Sequence, residues 1–183
     1  MALIETTIGS MNYNVLASIL KAGNVIRLGR GAEIGVLYAD TSVYLLENFP
    51  QLTLYAVDPY LPYDEQTEDR TDAKMREYEK AAEIRLAEFK NRAVRMKAAS
   101  AEAAPHIPES SLDFVFIDAI HTYEAVKQDI ALWASKVRPA GLIAGHDYRW
   151  PGVQKAVLEF QEQSKYQGFF TPPSSDIWFF VKA

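Results

Sequence analysis

Apolar positions along the chain fall into two alternating rhythms. Some recur at the three- and four-residue steps of a helix, and others form short continuous runs bounded by turn residues. In residues 11–22, Val15, Ile19 and Leu20 share one helical face, which predicts a first helix closed near Gly23-Asn24. Residues 31–37 (GAEIGVL) read as the first central strand and residues 42–49 as the helix after it, ended by Pro50. Residues 52–57 (LTLYAV) read as a second strand running into Asp58-Pro59-Tyr60. Residues 64–97 carry nine acids and nine bases, while Met75, Tyr78, Ala82, Leu86, Phe89 and Ala93 step by three and four, so an amphipathic helix with a solvated charged face is expected. Residues 93–99 predict a short third strand. Residues 112–118 (LDFVFID) predict a fourth, apolar on both faces as a central parallel strand is.

Residues 123–137 predict a helix with Val126, Ile130, Trp133 and Val137 inward, left through the turn Arg138-Pro139-Ala140-Gly141. A short strand at 142–144 then ends at Gly145-His146-Asp147-Tyr148. Pro151 suits the first turn of a last helix, with Val153, Val157 and Phe160 facing inward. Residues 168–170 and 176–181 read as two closing strands around Pro172-Pro173-Ser174-Ser175. This alternation implies an α/β fold: a Rossmann-like, doubly wound sheet of seven strands, mostly parallel with an antiparallel strand near the C-terminus, and helices on both faces. Ligands of such sheets bind outside the carboxyl ends of the strands. The residues there are Gly35 to Ser42, Asp58, Ser100, Asp118 to His121 and His146 to Tyr148, and the chain's polar residues collect among them.

Composition narrows the picture. The 183 residues are 49% hydrophobic and 23% charged, which fits one globular domain over 1–183 and excludes disordered, collagen-like and coiled-coil chains. The net charge of -5 supplies no global attraction to nucleic acid or anionic membrane. No cysteine is present, which removes disulfides, zinc-thiolate sites, iron-sulfur clusters and thiol nucleophiles. No apolar run reaches the ~20 residues of a membrane span. Residues 1–10 carry Glu5 and no Lys or Arg, unlike a signal peptide, so a cytoplasmic protein is expected.

Asp58 ends the second strand 23 residues after Gly35 ends the first. An acid there can accept hydrogen bonds from both ribose hydroxyls of a nucleotide, or can simply be a turn residue before Pro59. The glycines of Gly29-Arg30-Gly31 and Gly35 are spaced one residue too widely for a dinucleotide loop, and the first two precede the strand, so they read as a turn into it.

Three groups of residues carry a resemblance. Ala32-Glu33-Ile34-Gly35, Ala39-Asp40-Thr41-Ser42 and Val57-Asp58-Pro59-Tyr60 resemble the first two motifs of class I S-adenosylmethionine-dependent methyltransferases. Residues 116–124 (FIDAIHTYE), with Arg138-Pro139-Ala140-Gly141 and Gly145-His146-Asp147-Tyr148, resemble methyltransferase family 24, the small-molecule O-methyltransferases, and more distantly the macrocin and catechol enzymes. The resemblance covers roughly residues 30 to 160. It implies S-adenosylmethionine as cofactor, a small-molecule hydroxyl as acceptor and a homodimer. Glu33, Gly35 and Ser42 match the motif that lines the methionine part, Asp58 the ribose-binding acid, and Ser100 the region of adenine contacts; Asp118 also borders the cofactor. Ala39 stands where the family usually has a second glycine.

In the metal-dependent relatives, aspartates matching Asp118 and Asp147 bind a divalent metal. Two such strands lie about 4.8 Å apart, so carboxylates at matching heights can share Mg2+ or another hard cation. An amide or acid often follows the second aspartate as third ligand; Tyr148 holds that position here, which leaves His146 or a water. His121 stands where the catechol-type relatives have a lysine base, and an imidazole of unperturbed pKa about 6.5 can take that role beside Asp118. His106 reads as a surface residue; Trp150, Tyr148, Tyr60 and Tyr63 as pocket wall or core. Two other readings stand beside this one: a metal-dependent hydrolase using Asp118, His121, His146 and Asp147, and an inactive cofactor-binding module.

Overall fold

The computed structural model describes residues 2–27, 29–63, 70–164, 166–172 and 175–183. Its elements run in the order α1 (Ala2–Ala22), β1 (Arg30–Ile34), α2 (Asp40–Asn48), β2 (Thr53–Val57), α3 (Asp72–Ala87), β3 (Ala93–Met96), α4 (Ser100–Ala103), β4 (Leu112–Ile117), α5 (Tyr123–Trp133), β5 (Val137–Gly145), α6 (Pro151–Gln163), β6 (Gln167–Phe170) and β7 (Trp178–Val181). The seven strands form one sheet ordered β3-β2-β1-β4-β5-β7-β6. β7 runs antiparallel to both its neighbours, and the other pairings are parallel. Strand order reverses between β1 and β4, so the crevice at their carboxyl ends is the topological switch point.

The alternation of β4 divides the core. Phe114 and Phe116 join Leu16, Leu20, Leu45 and Leu54 on one face of the sheet. Val115 and Ile117 join Ile130, Trp133, Val153 and Trp178 on the other. Every residue of β4 is buried, as its largely apolar pattern requires of a central strand. The one charge in it, Asp113, is completely buried at the amino end of the sheet. Its carboxylate accepts from the Arg30 backbone N–H (3.2 Å) and from Arg138 Nε (2.8 Å), and Arg138 Nη2 reaches the Val25 carbonyl (2.6 Å). This pair ties β1, β4 and β5 to the connection entering the sheet.

Several boundaries differ from the sequence expectation. The first helix begins at Ala2 rather than near residue 11. The first strand ends at Ile34, because Gly35 turns to φ 88° and starts a loop. The helix within 64–97 ends at Ala87, since Lys90 takes φ 54°; Phe89 and Ala93 lie beyond it, and residues 64–69 of that stretch lie outside the described residues. Val137 belongs to β5 rather than α5, and the expected turn 138–141 is a bulge inside β5, where two steps on β4 face five on β5. The closing strands form a hairpin; Pro173 and Ser174 of its expected turn lie outside the described residues. Among the described residues no helix is long and apolar enough to cross a membrane.

Arg138→Ala removes the guanidinium from the buried Asp113 carboxylate and is expected to lower the unfolding free energy by about 3 kcal/mol. Arg76→Ala, which removes an exposed helix pair with Asp72, is expected to cost no more than about 0.5 kcal/mol. Urea unfolding of both variants checks the contrast; equal losses would contradict it.

Candidate functional site

The ends of β1 and β4 meet without room for a side chain. Gly35 N–H donates to the Val57 carbonyl (2.9 Å) and Asp118 N–H to the Ile34 carbonyl (2.8 Å). A Cβ on Gly35 would lie 2.1 Å from the Asp118 carbonyl oxygen, and the backbone there has φ 88°, so glycine is required on both counts. The loop that follows is pinned by Asp58. Val36 and Leu37 N–H donate to its Oδ2 (2.9 and 3.0 Å), and Tyr60 N–H donates to Oδ1 (2.7 Å). Leu37 and Ala39 are held at φ 49° and 65°. A left-handed conformation costs a non-glycine residue roughly 1–2 kcal/mol, which charge-assisted hydrogen bonds to a buried carboxylate offset. Ala39 is fully buried and forms no part of the cavity wall, so its methyl group does not stand in the ligand's way.

This arrangement revises the role expected of Asp58. A carboxylate offers about four acceptor positions. Three are used by the backbone, so one position on Oδ1 remains for a ligand hydroxyl instead of both oxygens. Ser42 is also revised. It is fully buried on α2, behind the cavity wall, and its hydroxyl donates to Glu33 Oε2. Glu33, on β1, does face the cavity. Burial pushes its carboxyl up to about 8; the charges of Asp118 and Asp58 add to the rise, and the Ser42 and Thr41 hydroxyls oppose it. At neutral pH Glu33 is therefore mostly protonated and can donate as well as accept.

The cavity runs along the carboxyl ends of the central strands and has a volume of about 920 Å³. Glu33, Gly35, Asp58, Ser100, Asp118, His121, His146 and Asp147 all line it. So do Trp150 and Tyr63. Tyr60 instead packs into the core with its hydroxyl on the Leu37 carbonyl, and Tyr148 packs against Phe169. His106 is exposed, as expected. Among the wall residues that escape the sequence reading are Asn12 and Tyr13 of α1, Arg70 beside the Tyr63 and Tyr78 rings, and Asp129 of α5. Asp129 did leave a signal, an acid on the apolar stripe that also holds Val126, Ile130 and Trp133.

At one end of the cavity, the loops after β4 and β5 bring two aspartates and two histidines together. His121 Nε2 lies 2.8 Å from Asp147 Oδ2, and its ring lies 5.0 Å from that of Trp150. His146 Nδ1 lies 3.0 Å from Asp147 Oδ2 and 3.6 Å from Asp118 Oδ1. Asp147 itself adopts φ 57°, which turns its carboxylate back between the two imidazoles. Burial opposes a charge on His146, yet the facing Asp118 and Asp147 push its imidazole up to about 10. Asp147 is held below the usual carboxylate range: burial works against this, and the bonds to His121 and His146 outweigh it. One ligand atom each from Asp118, His121 and Asp147 lie within 4.8 Å of one another, a spacing and donor set that fit a divalent cation. The compact set thus contains His121 where the sequence reading placed His146. His146 instead lies against both carboxylates.

A family model described as a methyltransferase domain matches residues 32–148 of the chain. Solved structures share the fold at low identity. A putative caffeoyl-CoA O-methyltransferase from Staphylococcus aureus is 16% identical, with a TM-score of 0.68 over 93% of this chain and 82% of that one. The O-methyltransferase TomG from Streptomyces achromogenes, involved in tomaymycin synthesis and solved in complex with SAM, is 14% identical, with a TM-score of 0.64 over 93% and 79%. The O-methyltransferase NovP is 18% identical, with a TM-score of 0.63 over 91% and 76%. No curated protein matches the chain significantly.

A carboxyl whose folded pKa is about 8 against an ordinary 4.5 contributes stability that is complete below the ordinary value and is lost as pH rises through about 8. Glu33→Gln keeps the neutral shape and removes the titration. Wild-type unfolding free energy is therefore expected to fall relative to the variant between about pH 5 and pH 9. Parallel curves would mean that Glu33 is already ionised in the fold.

Proposed function

The chain belongs to the family of methyltransferase domains, and from that premise we propose that it transfers the methyl group of S-adenosylmethionine to a hydroxyl of a small molecule. The observation that carries this reading is the Asp147-His121 pair, 2.8 Å apart, in the wall of a cavity of about 920 Å³. That volume lies near the top of the usual range for small-molecule sites, ~300–1,000 Å³, and suits a cofactor with an acceptor beside it.

The cofactor supplies the activated carbon, so the protein's work is alignment and removal of one proton. The acceptor oxygen forms a bond to the methyl carbon as the carbon–sulfur bond breaks and its electron pair returns to sulfur. The hydroxyl proton passes to His121. With Nε2–H donated to Asp147, the neutral imidazole accepts at Nδ1, and the Asp147 charge stabilises the imidazolium that forms. Glu33 and Gly35 serve the methionine end of the cofactor, Asp58 one ribose hydroxyl through its free acceptor position, and Ser100 the base. Ser42 acts only through Glu33.

Asp118, Asp147 and His121 would hold a divalent cation, which when bound supplies positive charge that lowers the acceptor hydroxyl's pKa. His121 Nε2 cannot ligate a cation and donate to Asp147 at once, so the two forms of the site are exclusive. Turnover with magnesium and then with a chelator separates them.

Calorimetric titration with S-adenosylmethionine is expected to give one-site binding to the wild-type protein and none to Gly35→Ala, whose new methyl group collides with the Asp118 carbonyl. A folded wild-type protein that binds no S-adenosylmethionine overturns the proposal. His121→Ala is expected to lower kcat about 100-fold, the usual contribution of a positioned base, while cofactor affinity stays within a few-fold. An unchanged kcat without metal would remove His121 from the proton's path.

A further inference from the structure

Asp129 is a buried acid that the methyl-transfer chemistry does not use. It lies on α5, about 9 Å along the helix axis from Tyr123 and so well away from the histidine end of the cavity. Only 6% of it is exposed, yet it forms part of the cavity wall together with Ala99, Ser100, Ala101 and Gln128. A buried carboxyl in a structural role has its oxygens consumed by the fold. Here the partner is the Ser100 hydroxyl.

The polarity of that contact follows from Trp133. An indole N–H can only donate. Trp133 Nε1 donates to Ser100 Oγ at 2.9 Å, so the Ser100 hydroxyl proton is free to point onward to Asp129. The polar contacts lead from Trp133 through Ser100 toward Asp129, whose carboxylate borders the cavity. Burial pushes the Asp129 carboxyl up to about 6, and the Ser100 bond opposes the rise, so above that pH the group is ionised and accepts only. A ligand atom placed against it must carry hydrogen.

We propose that Asp129 is the specificity-determining residue for the purine of the cofactor, accepting a hydrogen bond from the 6-amino group of adenine. This rests on the methyltransferase reading. With the methionine end at Glu33 and Gly35 and a ribose hydroxyl on Asp58, the base falls beyond β2 toward Ser100, where Asp129 is the ionisable wall residue. A 6-oxo purine presents a carbonyl oxygen at the same place, and that oxygen faces the carboxylate as acceptor against acceptor. Asparagine at position 129 reverses the match: Ser100 still donates to the amide oxygen, which turns the amide N–H2 toward the cavity.

The test measures binding of S-adenosylhomocysteine and S-inosylhomocysteine by calorimetry, at a pH well above the Asp129 value, to wild type and Asp129→Asn. Wild type is expected to prefer the adenosyl compound by about tenfold or more, the cost of an unmatched buried polar contact. Asp129→Asn is expected to narrow that ratio at least tenfold or to invert it. The variant arm is needed because N1 also changes between the two purines, from acceptor to donor. Equal wild-type binding of the two compounds overturns the inference and leaves the methyltransferase reading intact. So does a folded variant that keeps the wild-type ratio. Binding of neither compound by folded wild-type protein overturns both. The wild-type ratio requires no variant, so a misfolded Asp129→Asn protein does not shield the inference.

Discussion

The carboxylate of Asp58 is the interaction on which the cavity depends. The loop after β1 places two non-glycine residues, Leu37 and Ala39, in left-handed backbone, and left alone it would relax to a less costly path. Two N–H groups of that loop and one from the β2 exit converge on the same side chain. The β1 loop is thereby fastened to the neighbouring strand end, with Gly35 pressed against the Asp118 carbonyl. Glu33, Asp118 and the start of α2 take their positions from this junction. Binding geometry here is first a backbone property, and the side chains are added to it.

The electrostatics of the wall follow from how each acid is accommodated. Glu33 is neutralised by burial, Asp58 is satisfied by backbone donors, and Asp129 is reached by a serine hydroxyl. Asp118 and Asp147 share the histidines. These five carboxyl groups of the cavity wall coexist because burial, backbone donors, a hydroxyl or imidazoles accommodate each of them, and a sixth, Asp40, pairs with Arg85. Among the described residues only Asp118 and Asp147 meet imidazoles, so the proton transfer proposed above falls at that end.

Much of this was legible in the chain. The continuous apolar run of β4 announced a central strand. The alternation of elements then located the strand ends, and with them Glu33, Gly35, Asp58, Asp118, His121 and Asp147. Three features mark where one-dimensional reading stops. Pro139 and Gly141 read as a turn, because a bulge within a strand uses the same residues as a loop. Spacing also does not tell which of two histidines at neighbouring strand ends joins the aspartates: His121 lies 2.8 Å and His146 3.0 Å from Asp147. Asn12, Tyr13 and Arg70 reach the cavity from helices and loops far along the chain, and no local pattern reports such an approach.

The charge pair of Asp113 and Arg138 lies at the amino ends of the strands, and the cavity lies at their carboxyl ends. The two are joined only by the length of the sheet. A substitution among the wall residues, at Trp150 or Tyr63 for example, leaves the buried clamp untouched. The scaffold can therefore take substitutions at its open rim while its foldedness is guarded elsewhere, so the cavity wall and the stability of the fold can change independently.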